Sequence, residues 1–180
     1  FTGLLLLGKQ KQNKNWRNPI FKKWYFKGLF FKLVGCIAFC LVYTFYYDYG
    51  GDTRGYFRDS QKIVESMTYG LDGFWDLIQR NRNNIDPIAL DFMHRITYDA
   101  PMEYYLVHLS LPFNVLGFGS YFAMSLLIAY ACYNGVWKFF LLFAEKFPRL
   151  EKEMAFAVLF VPSVVFWGAG LNKDTFIFSF

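Results

Sequence analysis

The chain lacks most of what marks a soluble enzyme. It has no glycine-rich phosphate loop, no Cys/His metal spacing, no G-x-S-x-G and no HExxH. Those absences argue against a soluble nucleotide-binding or hydrolase domain within these residues. Charge is scarce: 18% of residues are Asp, Glu, Lys or Arg, where an average soluble domain has about 25%. Cys36, Cys40 and Cys132 all lie in apolar runs without His or acidic neighbours, so they read as small packing residues. Neither a metal site nor a disulfide follows from them. There is no internal repeat and no low-complexity tract. What the chain has in excess is apolar surface: 55% hydrophobic residues, 23% aromatic ones and 23 Phe, much of it in long runs. That composition makes lipid the expected solvent.

Acidic side chains are absent from residues 1–47, which hold eight basic ones: Lys9, Lys11, Lys14, Arg17, Lys22, Lys23, Lys27 and Lys32. Residues 48–103 reverse the balance with six basic and ten acidic residues. A basic arm directly before an apolar run follows the positive-inside rule, with anionic membrane lipids as counter-charge. Nucleic acid is not an expected partner. The run from Gly28 to Tyr47 is 20 residues long; at about 1.5 Å per residue it covers roughly the 30 Å hydrocarbon layer. Trp16, Trp24 and Tyr25 suit one headgroup belt, and Tyr43, Tyr46, Tyr47 and Tyr49 the other. Lys27 and Lys32 are expected to extend toward the cytoplasmic surface.

The expected fold is all-α: a polytopic α-helical integral membrane protein with amphipathic surface helices in a long first outer loop. Residues 1–27 form the end of a preceding apolar segment and a basic cytoplasmic connector, broken at Asn18-Pro19. A transmembrane helix fills 28–47. Residues 48–103 are the outer loop. Within it, Tyr56, Phe57, Ile63, Val64 and Met67 follow helical spacing, as do Leu71, Phe74, Trp75 and Ile78. Such helices lie flat on a membrane or pack on a neighbouring span. The stretch from Arg80 to Asp99 is polar and reads as a mobile loop. Residues 104–144 are divided by Pro112 and Gly117-Phe118-Gly119 into a re-entrant or short piece and a transmembrane helix. Residues 145–153 connect to a further transmembrane helix and the start of the next over 154–180. An apolar start without Met and the apolar end TFIFSF suggest a fragment of a longer membrane protein.

Asp52 leads the candidates for chemistry. A carboxylate in a Gly-flanked turn at a membrane surface is accessible, and partial desolvation makes it a better base. Arg54 and Arg58 are close in sequence. Capping of the following helix by Asp52 or Thr53 is an equal alternative. Asp48 reads as the interfacial end of the span and Asp59 as a solvated residue. Lys173 suits a phosphate, with Asp174 orienting it or a substrate hydroxyl; a short exposed turn is the competing assignment. His108 is an ionisable group in an apolar segment, which marks either a site or a satisfied interhelical hydrogen bond. Glu103 and Tyr104 follow Pro101 near the same place.

Three stretches together resemble the amino-terminal module of GT-C membrane glycosyltransferases, multi-span enzymes that use polyprenyl-phosphate-linked sugars. They are YYDYGGDTRGYF at the end of the first span, the pair of amphipathic helices in the first outer loop, and DAPMEYYLVHL leading into the next span. The segment VPSVVFWGAGLNKDTF is similar to stretches in bacterial membrane proteins of this broad kind. The resemblance implies Asp52 as general base for an inverting transfer and Lys173 as a contact to the lipid-linked phosphate. It implies a lipid-linked sugar donor as substrate and the bacterial inner membrane as location. No cofactor is expected, and a divalent-metal requirement stays open. The alternative function is a non-catalytic accessory or scaffold subunit among other membrane subunits.

Overall fold

The computed structural model describes residues 1–47, 51–79, 87–97, 100–177 and 179. Among them the regular elements are helical, with no strand. Contacts divide the chain into two compact units: residues 1–42 with 125–180, and residues 43–124. Asp48 lies outside the described residues, as do 80–86 of the expected loop.

The first unit opens with α1 (Thr2–Lys14) and α2 (Pro19–Phe45). The basic connector is therefore largely helical; the helix breaks between Lys14 and Pro19 as expected, and Asn18-Pro19 also starts the next one. The reason is local. Pro at the first helical position loses nothing, because its missing N–H had no partner there. The Asn18 side chain accepts the Phe21 N–H at 3.1 Å, an N-cap. Lys27 is exposed, but Lys32 does not extend outward as expected: it is buried and its ammonium donates to the Gly168 carbonyl.

The core of this unit is aromatic. Phe21 stacks on Tyr25 at 4.4 Å, and Trp137 meets both edge-on at 4.8 and 5.0 Å. The Tyr133 hydroxyl donates to the Tyr25 carbonyl at 2.8 Å. A side chain at Gly28 would collide with that hydroxyl, which explains glycine there. Trp137 and Tyr133 lie on α7 (Tyr121–Lys146), which starts in the other unit. Helices α2 and α7, 27 and 26 residues, are long and apolar enough to cross a membrane. Fewer than half of the residues in either apolar window are buried (44% and 39%), so both helices keep much apolar surface facing outward.

The apolar run from Met154, expected to hold a transmembrane helix and the start of the next, forms short pieces. It divides into α8 (Glu151–Ala155), a wider turn at Phe156–Phe160, α9 (Pro162–Trp167) and α10 (Lys173–Ile177). Proline is the cause: it clashes with the preceding turn and drives Val161 out of helical geometry, to ψ 122. Each piece is far shorter than a bilayer needs.

The second unit holds α3 (Gly51–Ser66), α4 (Leu71–Gln79), α5 (Pro87–Arg95) and α6 (Pro101–Leu116). The amphipathic helices pack on protein: α3 buries Tyr56, Phe57 and Ile63 against α4, α5 and α6. Helix α5 occupies part of the stretch expected to be a mobile loop. Ala89, Phe92, Met93 and Ile96 repeat at i, i+3, i+4, i+7, and Ala89 and Phe92 close on Leu77. Asp59, expected to be solvated, is fully buried. It pairs with Lys62 at 2.8 Å and accepts the Thr97 N–H at 2.9 Å. Beside it Asn114 of α6 donates to the buried Ser60 hydroxyl at 2.6 Å.

Removing Asp59 leaves the Thr97 N–H without its acceptor and costs Lys62 its carboxylate partner, the Arg95 carbonyl alone remaining to that ammonium among the described residues. Asp59→Ala should lower stability by about 2–3 kcal/mol, seen as a lower Tm in detergent. An unchanged Tm would mean that the carboxylate does not hold α3 to the segment after α5.

Candidate functional site

The second unit gathers most of the residues singled out for chemistry. Gly51 opens α3 at φ 55, a left-handed conformation that favours glycine, with the Tyr43 ring beneath it. Asp52 falls in the first turn of α3 and is exposed. A carboxylate there is stabilised by the helix dipole, a first-turn role and not an N-cap. Thr53 does not cap either: its buried hydroxyl shares a 3.0 Å hydrogen bond with the Tyr121 hydroxyl. The Asp52 carboxylate is therefore outside the desolvated setting expected of it.

Arg54 is half-buried. Its guanidinium donates to the Thr44 hydroxyl at 3.3 Å and lies over the Tyr121 ring at 5.4 Å. These contacts give a fixed cation two residues after Asp52. Arg58 is exposed one turn further along α3.

Tyr56 ties the cluster together. Its phenol is pushed up from 10.0 to about 12, first by burial and then by the charges of Asp52 and Glu103. Two carboxylates from different helices, α3 and α6, thus act on one hydroxyl. At neutral pH that hydroxyl stays protonated and keeps a hydrogen to donate. Tyr56 was legible in the sequence only as an apolar helix position. Glu103 had one signal, an acidic residue in a first turn after Pro101.

His108 belongs to another feature. It stacks edge-on against Tyr104 at 4.4 Å and lines an apolar groove of about 440 Å³ with Phe74, Trp75, Ile78 and Leu111. Tyr104 is buried and donates its hydroxyl to the Leu77 carbonyl, fixing α6 to α4. Helix α6 is thereby a packed helix of the second unit.

Lys173 and Asp174 are in the first unit, exposed in the first turn of the short α10. Asn172, not Asp174, caps that helix, accepting the Thr175 N–H at 2.8 Å. Among the described residues no group of three His, Cys, Asp or Glu side chains is placed to hold a metal ion.

The Tyr56 environment makes a prediction with a definite sign. Removing negative charge eases phenolate formation, so Asp52→Asn and Glu103→Gln should each lower the Tyr56 pKa from about 12. It should remain above 10, because burial is the larger cause. The raised folded value also means that the Tyr56 contribution to stability is complete below pH 10 and lost as pH rises through about 12. Ultraviolet titration of phenolate, differenced against Tyr56→Phe, measures the shift. No movement in either variant would separate the carboxylates from Tyr56. Comparison with protein-family models, with curated proteins and with solved structures found no match to this chain.

Proposed function

We propose that the chain is a membrane glycosyltransferase of GT-C type, or a part of one, that transfers a sugar from a polyprenyl-phosphate carrier on the outer face of a bacterial inner membrane. The observation that carries the proposal is the pair of carboxylates, Asp52 and Glu103, acting on the Tyr56 hydroxyl beside the held cation of Arg54. The two long apolar helices support a polytopic membrane protein, with α3 to α6 as its first outer segment. The sequence resemblance to the GT-C amino-terminal module supports the reaction class.

The chemistry assigned to these residues is simple. Asp52, exposed and in a dipole-stabilised first turn, takes the proton of an acceptor hydroxyl. The acceptor oxygen attacks the anomeric carbon, the bond from that carbon to the carrier phosphate breaks, and the configuration inverts. Arg54 and Arg58 hold the donor or its leaving phosphate through charge-assisted hydrogen bonds. Glu103 and Tyr56 orient the acceptor. His108 serves a donor bound along the groove that it lines.

A second function has its own observation. Large apolar side chains stand exposed, including Phe45 at 80%, Phe118 at 97% and Ile177 at 73%, which suits the faces of an accessory subunit covered by partner helices. Purification of the intact protein with other membrane subunits at fixed stoichiometry, and without transfer activity, would favour it.

Asp52→Asn is the decisive substitution. Because Asp52 is exposed, the variant should fold, losing no more than about 1 kcal/mol of helix-dipole stabilisation. Loss of a general base should lower kcat about 10²- to 10⁴-fold with little change in KM. Full transfer from a polyprenyl-phosphate sugar by the intact Asp52→Asn protein would sink the catalytic assignment.

A further inference from the structure

A groove of about 300 Å³ lies in the first unit between α1 and the first turns of α2. Its wall carries four cations, Lys9 from α1 and Lys22, Lys23 and Lys27 from α2, with Gln12, Trp16 and Phe26 between them. Among the described residues no carboxylate lines it. We propose that this groove binds the phosphate headgroup of an anionic lipid.

The placement of charge is the first reason. Lys22 and Lys23 sit near the N-terminal end of a 27-residue helix that has no acidic residue in its first turn. The helix dipole is positive there, so these lysines repel both the dipole and each other. Among the described residues Lys9, Lys22 and Lys27 take part in no ion pair; Lys23 reaches Glu151 at 2.7 Å. Such an arrangement is costly by itself and is relieved by an anion that meets the lysines together.

The second reason is that the groove is built. Gln12 is buried, and its amide donates to the Lys22 carbonyl at 2.7 Å and the Phe21 carbonyl at 3.4 Å. Its side-chain oxygen accepts from Lys9 at 3.0 Å. Gly8 lets α1 approach Leu29 closely. The two helices therefore hold the cations in place before any ligand arrives, which reduces the entropy cost of binding.

The third reason selects a lipid over a free anion. Both helices carry exposed apolar residues next to the lysines in sequence: Leu6 and Leu7 before Lys9, and Phe30 and Phe31 after Lys27. A ligand with a phosphate head and acyl chains matches both surfaces. This inference rests on the membrane assignment of α2 and is independent of glycosyl transfer.

The test uses the full chain in neutral detergent, with dioctanoyl phosphatidic acid binding followed by native mass spectrometry. Saturable binding is expected, weakened about tenfold in the Lys22→Gln/Lys27→Gln double variant, a loss of about 1.4 kcal/mol. Both lysines are exposed, so the variant should fold. Lys14→Gln/Arg17→Gln, whose positions do not line the groove, should bind like the original chain. Equal weakening in that control, or none in either variant, would overturn the site. Inorganic phosphate competing as well as the lipid would overturn the lipid assignment, and so would tighter lysine-dependent binding of a single-stranded oligonucleotide. Alkaline-carbonate extraction of membranes reads the assignment of α2 separately. A chain that stays in the pellet while its lipid binding ignores Lys22 and Lys27 overturns this site alone.

Discussion

A charged nitrogen in an apolar helix has to find an acceptor, and in the first unit that requirement brings distant pieces of chain together. Lys32 lies in the middle of α2, buried among Leu29, Leu33 and Cys36. Leaving its ammonium without a partner there would cost several kcal/mol. The carbonyl of Gly168, just past the end of α9, supplies the partner. Glycines make the approach possible: side chains at Gly35 and Gly170 would collide with Val165 and with the Phe39 ring. Phe39 then packs on Phe166 at 5.3 Å, and the broken helices after Met154 gain a fixed position against α2.

The second unit obeys the same rule with the opposite charge. Asp59 is buried on α3, and Lys62, the Thr97 N–H and the nearby Asn114–Ser60 pair satisfy the polar groups around it. The Thr97 and Asn114 contacts tie α3 to segments distant in sequence, while Lys62 lies one turn along α3 itself. With α3 held in this way, its first turn presents Asp52 outward while Tyr56, one turn later, faces inward toward Glu103 of α6. The exposed base candidate and the buried phenol thus occupy successive turns of one helix, in different dielectric surroundings. Burial, with the two negative charges, holds the proton on the phenol.

Much of the fold was legible because it rests on local physics. The apolar run of α2, the helical spacing of α3 and α4, and the break at Pro162 all follow from residues close together in the chain. The break at Asn18-Pro19 was legible, but a proline marks a helix start as readily as a stop, and only the Asn18 cap on Phe21 shows that a second helix begins there. Helix α5 was hidden by the polar residues around Ala89, Phe92 and Met93, whose spacing is short and whose burial depends on Leu77. The candidate site was half visible. Asp52 and Arg54 stand out by sequence, but Glu103 is fifty residues away and joins them only through folding of α6 beside α3.

The sequence alone determined the helical class, the apolar runs that form α2 and α7 and the reversal of charge between residues 1–47 and 48–103. Those properties are sums over neighbouring residues, so no tertiary contact is needed to read them. Tertiary structure decided the fate of the isolated ionisable groups. Lys32 turns inward because Gly168 is there to receive it, and Asp59 is buried because Lys62 and Thr97 meet it. Asp52 remains exposed in a first turn, and Tyr56 becomes a strongly held proton donor. A charge's behaviour depends on the dielectric and the partners around it, and residues far away in the chain supply both.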